Sequence, residues 1–71
     1  MTVNYSKLEG RIVERFGNRK NFAAALGIST NSMSRKLRGK QAFSQKDILK
    51  SAELLGIAVD ELGEYFFTPK V

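Results

Sequence analysis

Histidine, cysteine and tryptophan are absent from the 71 residues, and proline occurs once. Each absence closes a route. Without cysteine there is no disulfide, and with histidine missing too a structural zinc loses its usual ligands. No His or Cys is available as general base or nucleophile. Neither a glycine-rich phosphate loop nor a paired-carboxylate cleft is evident, and so short a chain cannot enclose a pocket of usual size; no enzymatic activity and no cofactor are expected. No apolar run approaches the ~20 residues of a membrane span. The opening Met1-Thr2-Val3-Asn4-Tyr5 has neither the basic nor the apolar stretch of a secretory signal, so the cytoplasm is the expected setting. A chain this small buries only ~60% of its unfolded surface, and its core supplies roughly 3–5 kcal/mol. It must be an efficient helical pack or gain stability from a partner.

What is present is positive charge, unevenly placed. Twelve Lys and Arg face seven Asp and Glu. Nine of the cations (Arg15, Arg19, Lys20, Arg35, Lys36, Arg38, Lys40, Lys46 and Lys50) fall between positions 15 and 50, with Asp47 the only acid among them. The flanks hold Lys7, Arg11 and Lys70 against Glu9, Glu14, Glu53, Asp60, Glu61 and Glu64. A basic middle between acidic ends is either a solvated surface or the footprint of a polyanion-binding face.

Low-complexity segments and internal repeats are lacking, so residues 1–71 read as one domain. Apolar residues recur at helical spacing, and no stretch alternates as a half-buried strand does. Leu8, Ile12 and Phe16 make a stripe for a helix over 6–16, stopped by Gly17. Asn18 is a good N-cap for a helix over 19–26 that buries Phe22 and Leu26 and stops at Gly27. Ser29 caps a third helix over 30–37, with Met33 and Leu37 inward and Gly39 beyond. Ser44-Gln45-Lys46-Asp47 resembles a capping box and opens a helix over 45–55, carrying Ile48, Ala52 and Leu55 and ended by Gly56. A fifth helix over 59–66 is expected to turn Val59, Leu62 and Phe66 inward. The expected fold is an all-α, compact five-helix bundle.

The informative stretch runs from Asn21 to Gly39. Two short helices meet across a turn of about three residues. Ala23 is small where the helices must cross steeply, Gly27 tolerates positive φ at the turn, and Ile28 and Met33 plug the space between. The outward side of the second of these helices carries Thr30, Asn31, Ser32, Ser34, Arg35, Lys36 and Arg38, with no acid. A solvated bundle helix more often sets Glu opposite Lys at i, i+4. A polar, cationic helix of this size fits the DNA major groove, where Asn pairs with adenine and Arg with guanine.

The segment Leu26-Gly27-Ile28-Ser29 through Ser34-Arg35-Lys36-Leu37-Arg38-Gly39-Lys40 resembles the Cro/repressor-type helix-turn-helix family of the xenobiotic-response-element class. Ile48 with Leu54-Leu55-Gly56-Ile57 and Asp60-Glu61-Leu62 is similar to that family's fourth and fifth helices. The whole chain, including Glu64-Tyr65-Phe66-Phe67, also resembles a group of small phage and prophage regulators from Gram-positive bacteria. The resemblance implies a lambda-repressor-like fold and base contacts from Thr30, Asn31, Ser32, Ser34 and Arg35. It implies phosphate contacts from Arg19, Lys20, Ser29, Arg38 and Lys40. Two stretches depart from the pattern of the resembled family. Arg19-Lys20-Asn21 stands where many members have Gln or Glu. Lys36-Leu37 reverses the commoner order of apolar residue then Glu, so Lys36 is expected half-buried with its head reaching to solvent.

The aromatic run Tyr65-Phe66-Phe67 either closes the core or forms a dimer or partner interface. Asp60, Glu61 and Glu64 are not expected to hold a metal. The leading expectation is a sequence-specific, double-stranded-DNA-binding transcriptional regulator of phage type, Cro-like or a small repressor. It would sit as a homodimer on a palindromic operator, with recognition helices ~34 Å apart. The rival is an antirepressor or modulator that keeps the bundle but grips another phage regulator. The acid-free helix face favours the first, and the aromatic end favours the second.

Overall fold

Three helices of this chain begin where an N-cap side chain takes up a free N–H group. In the computed structural model, which describes residues 3–67, α1 spans Ser6–Phe16, α2 Arg19–Leu26, α3 Thr30–Leu37 and α4 Gln45–Leu55, and a 3-10 turn over Val59–Glu61 leads into α5, Leu62–Phe66. Asn18, Ser29 and Ser44 each accept from the backbone N–H three residues on, satisfying donors that the helix itself leaves free. Ser44 and Asp47 complete a reciprocal capping box. No side chain caps α1 from Tyr5; instead Asn4 Oδ1 accepts from Ser6 N–H at 2.9 Å.

Among the described residues the architecture is all-helical. The core takes Leu8 and Ile12 from α1, Phe22, Ala23 and Leu26 from α2, Met33 and Leu37 from α3, Ala52 and Leu55 from α4, then Ile57, Tyr65 and Phe66. Phe16 and Phe22 pack with ring centroids 5.3 Å apart, and the Phe43 ring meets Tyr5 and Phe66 edge-on at 5.4 and 5.3 Å. Arg11 ties α1 to the end of α4, donating from Nε to the Leu55 carbonyl at 3.0 Å.

The last helix corrects the expectation of one continuous element over 59–66. Val59–Glu61 is wound as a 3-10 turn, entered from an extended Ala58 whose N–H donates to the Glu61 carboxylate at 3.2 Å. The inward stripe starts one turn later, at Leu62, and continues through Tyr65 and Phe66. Val59 lies ahead of it, 77% exposed, and does not belong to the core.

Candidate functional site

The α2–turn–α3 unit is held by backbone geometry. Gly27 adopts a left-handed conformation, φ +85°, and donates its N–H to Ala24 O while Ile28 N–H reaches Ala23 O at 3.0 Å. This Schellman turn consumes the free carbonyls at the end of α2. Ala23 and Met33 are both buried in the common core. At the other junction, Asn18 Oδ1 accepts from Asn21 N–H at 2.8 Å, and the Asn21 side-chain amide donates to Phe16 O at 2.9 Å. Asn21 therefore ties α1 to α2.

With Met33, Lys36 and Leu37 buried, α3 turns Thr30, Asn31 and Arg35 to solvent, and Arg38 follows at its end. Ser32 and Ser34 are half-buried at the margins of that arc. Ser29 is exposed, but its oxygen is engaged in the cap, accepting from Ser32 N–H at 3.1 Å. A second Schellman turn follows: Gly39 N–H bonds to Lys36 O and Lys40 N–H to Arg35 O at 2.9 Å. Lys40 is thus held one turn from Arg35, whose Nε reaches Gln41 Oε1 at 3.4 Å. Arg19 and Lys20 are exposed at the start of α2. Arg19 pairs at 3.6 Å with Glu9. None of Lys20, Arg35, Arg38, Lys40, Lys46 and Lys50 pairs with a described acid.

Lys36 corrects its expected place. Its side chain is buried, and the ammonium turns inward, donating to Ala42 O and Asp47 Oδ2, both at 3.0 Å, and lying 5.5 Å from the Phe43 ring centroid. The α3–α4 loop folds back over the last turn of α3 and supplies acceptors closer than water, so the head has no reason to snorkel. The Asp47 carboxyl is pushed up by burial, but hydrogen bonds from Lys36 and Ser44 outweigh this and hold it below its ordinary value. Lys36 and Asp47 cancel one another, and the outward charge of the basic middle comes from its other cations. Asp47, Gln41 and Phe43 escaped the sequence reading as parts of this surface. Helical periodicity carries no information about a loop that folds back.

The aromatic end is also reassigned in part. Tyr65 and Phe66 are buried because they continue the inward stripe of α5, and only Phe67 stands out, 61% exposed. Lys7 lies over the Tyr65 ring at 5.0 Å and pairs with Glu64. A groove of about 370 Å³ between the start of α1 and the end of α3 is lined by Tyr5, Ser6, Glu9, Leu37 and Arg38 among others. No described helix is long and apolar enough to cross a membrane, and no described His, Cys, Asp or Glu side chains cluster as a metal site requires.

This geometry has a counterpart among solved structures. The solution structure of the modulator of repression (MOR) of the temperate bacteriophage TP901-1 from Lactococcus lactis matches with a TM-score of 0.84 and 38% sequence identity, over 100% of this chain and 96% of that one. No curated protein matches. The family model described as "Protein of unknown function (DUF739)" matches residues 1–69, and the chain belongs to that family.

Proposed function

We propose that the chain is a phage-type regulatory protein that acts by binding another regulator, a modulator of repression working in the bacterial cytoplasm without a catalytic step. The observation that carries this reading is the end-to-end likeness to the TP901-1 modulator, at an identity where both fold and family are shared. The surface offered to such a partner is the α2–α3 face with its following loop, where Arg35, Arg38 and Lys40 are exposed with no acid between them in the sequence.

A second reading is favoured by that same acid-free arc: sequence-specific contact of a homodimer with a palindromic operator, through a helix-turn-helix of Cro/repressor type. Thr30, Asn31 and Arg35 would face the bases, with Ser32 and Ser34 at the edges, and Arg19, Lys20, Ser29, Arg38 and Lys40 the phosphates.

A gel shift separates the two. With operator DNA and the repressor of the same phage or prophage, the modulator reading expects the chain to alter the repressor's shift while giving none by itself. A discrete shift by the chain alone, competed by that operator and not by random duplex, overturns the modulator reading in favour of the second.

A further inference from the structure

The cation of α3 that is withdrawn from solvent is placed to control those that are not. Lys36 Nζ is surrounded by the Ala42 carbonyl, the Asp47 carboxylate and the face of Phe43. Asp47 Oδ2 also accepts from Ser44 N–H at 3.3 Å, so one oxygen joins the end of α3 to the cap of α4. Between these anchors runs the loop that carries Arg38, Lys40 and Gln41, with Phe43 pinned against Tyr5 and Phe66.

Taking an ammonium and a carboxylate out of water is costly, and a well-packed apolar side chain often serves stability as well or better. A Met at position 36 could fill the same space. What the ion pair adds is direction: three partners from three points of the loop and of α4 converge on a single nitrogen.

We propose that Lys36 and Asp47 are positioning residues for the partner-binding face, a latch that fixes the 38–43 loop and with it the spacing of Arg35, Arg38 and Lys40. The latch rests on the reading that this face receives the regulator. It makes two buried or half-buried residues, neither touching the partner, determinants of affinity.

The test is Lys36→Met in the full chain. Asp47 keeps its Ser44 partners and remains partly in contact with solvent, so the helices are expected to persist. Amide exchange of the free protein is expected to accelerate about tenfold or more at Gly39 and Lys40, whose N–H groups are hydrogen-bonded to Lys36 O and Arg35 O, and to stay unchanged in α1 and α2. Affinity for the repressor of the same phage, measured by calorimetry, is expected to fall about tenfold. Lys50→Met, which removes an exposed cation by the same chemistry, is expected to change affinity several-fold less. Unchanged loop exchange, or an affinity loss no greater than that of Lys50→Met, overturns the latch. If Lys36→Met fails to fold, Asp47→Asn gives the same decision, since its amide oxygen can still accept from Ser44 N–H while the counter-charge is gone. The exchange arm needs no partner. Absence of repressor binding by the wild-type chain overturns the proposed function and leaves loop exchange to decide the latch.

Discussion

Ser51 is wholly buried on the inner side of α4, and its hydroxyl has no hydrogen-bond partner among the described residues. A buried hydroxyl without a partner costs roughly 1–3 kcal/mol, and Ala is also the better helix former. Ser51→Ala is therefore expected to raise stability by about 1 kcal/mol, read as a higher urea midpoint at unchanged slope. The glycines give a sharper test, because two of them should respond with opposite sign to the same substitution. Gly10 lies inside α1 with open space where a Cβ would go, so Gly10→Ala should stabilise by ~0.5–1 kcal/mol. Gly27 has equally open space but φ +85°, so Gly27→Ala meets no clash and still costs ~1–2 kcal/mol of backbone strain. Thermal melts of the two variants on either side of the wild type would check the pair. Equal shifts would mean that local crowding and not φ decides.

At the scale of the element, Asp47 carries a pH dependence whose sign is fixed by its surroundings. Its folded-state carboxyl is held below the ordinary value by Lys36 and Ser44. The stability it contributes is thus fully present above its unfolded value of ~3.9 and is lost as pH falls through the lower folded value. Urea melts of the wild type should lose stability below about pH 4, and Asp47→Asn should flatten that part of the curve. The same residue shows what was legible in the sequence. Helix ends are local events: Asn18, Ser29 and Ser44 announce three starts, Gly27 and Gly56 two stops, and the i, i+4 stripes say which side of each helix is buried. The all-helical fold follows from these alone. The exposure of Thr30, Asn31 and Arg35 follows from the same periodicity, since Met33 and Leu37 must face the other way. The inward turn of Lys36 does not, because its acceptors come from a loop and from a helix eleven positions on. Nor does the division of labour in Tyr65-Phe66-Phe67, which depends on a 3-10 turn that moves the start of the stripe from Val59 to Leu62.

For the whole molecule the governing fact is the excess of exposed positive charge along residues 15–50. Lys20, Arg35, Arg38, Lys40, Lys46 and Lys50 are exposed on α2, α3, the loop and α4 without an acidic partner among the described residues, while Glu53, Asp60 and Glu61 are exposed on the other elements and the end of α4. Such a distribution steers approach to any negative surface, and exposed charges feel salt with a screening length of ~10 Å at 0.1 M. The way binding responds to salt therefore distinguishes the two kinds of partner. If the six cations met DNA phosphates, counterion release would give log K against log[salt] a slope of roughly −5. A regulator surface presents discrete carboxylates and releases no condensed counterion atmosphere, so its salt dependence should be much shallower. Titrations of the chain with the repressor of the same phage or prophage between low and physiological salt are expected, on the modulator reading, to show the shallow dependence, with Arg35→Glu/Arg38→Glu weakening binding mainly through the association rate. A slope near −5, with random duplex competing against the repressor, would mean that the α2–α3 face belongs to nucleic acid and that the regulator is held elsewhere on the molecule.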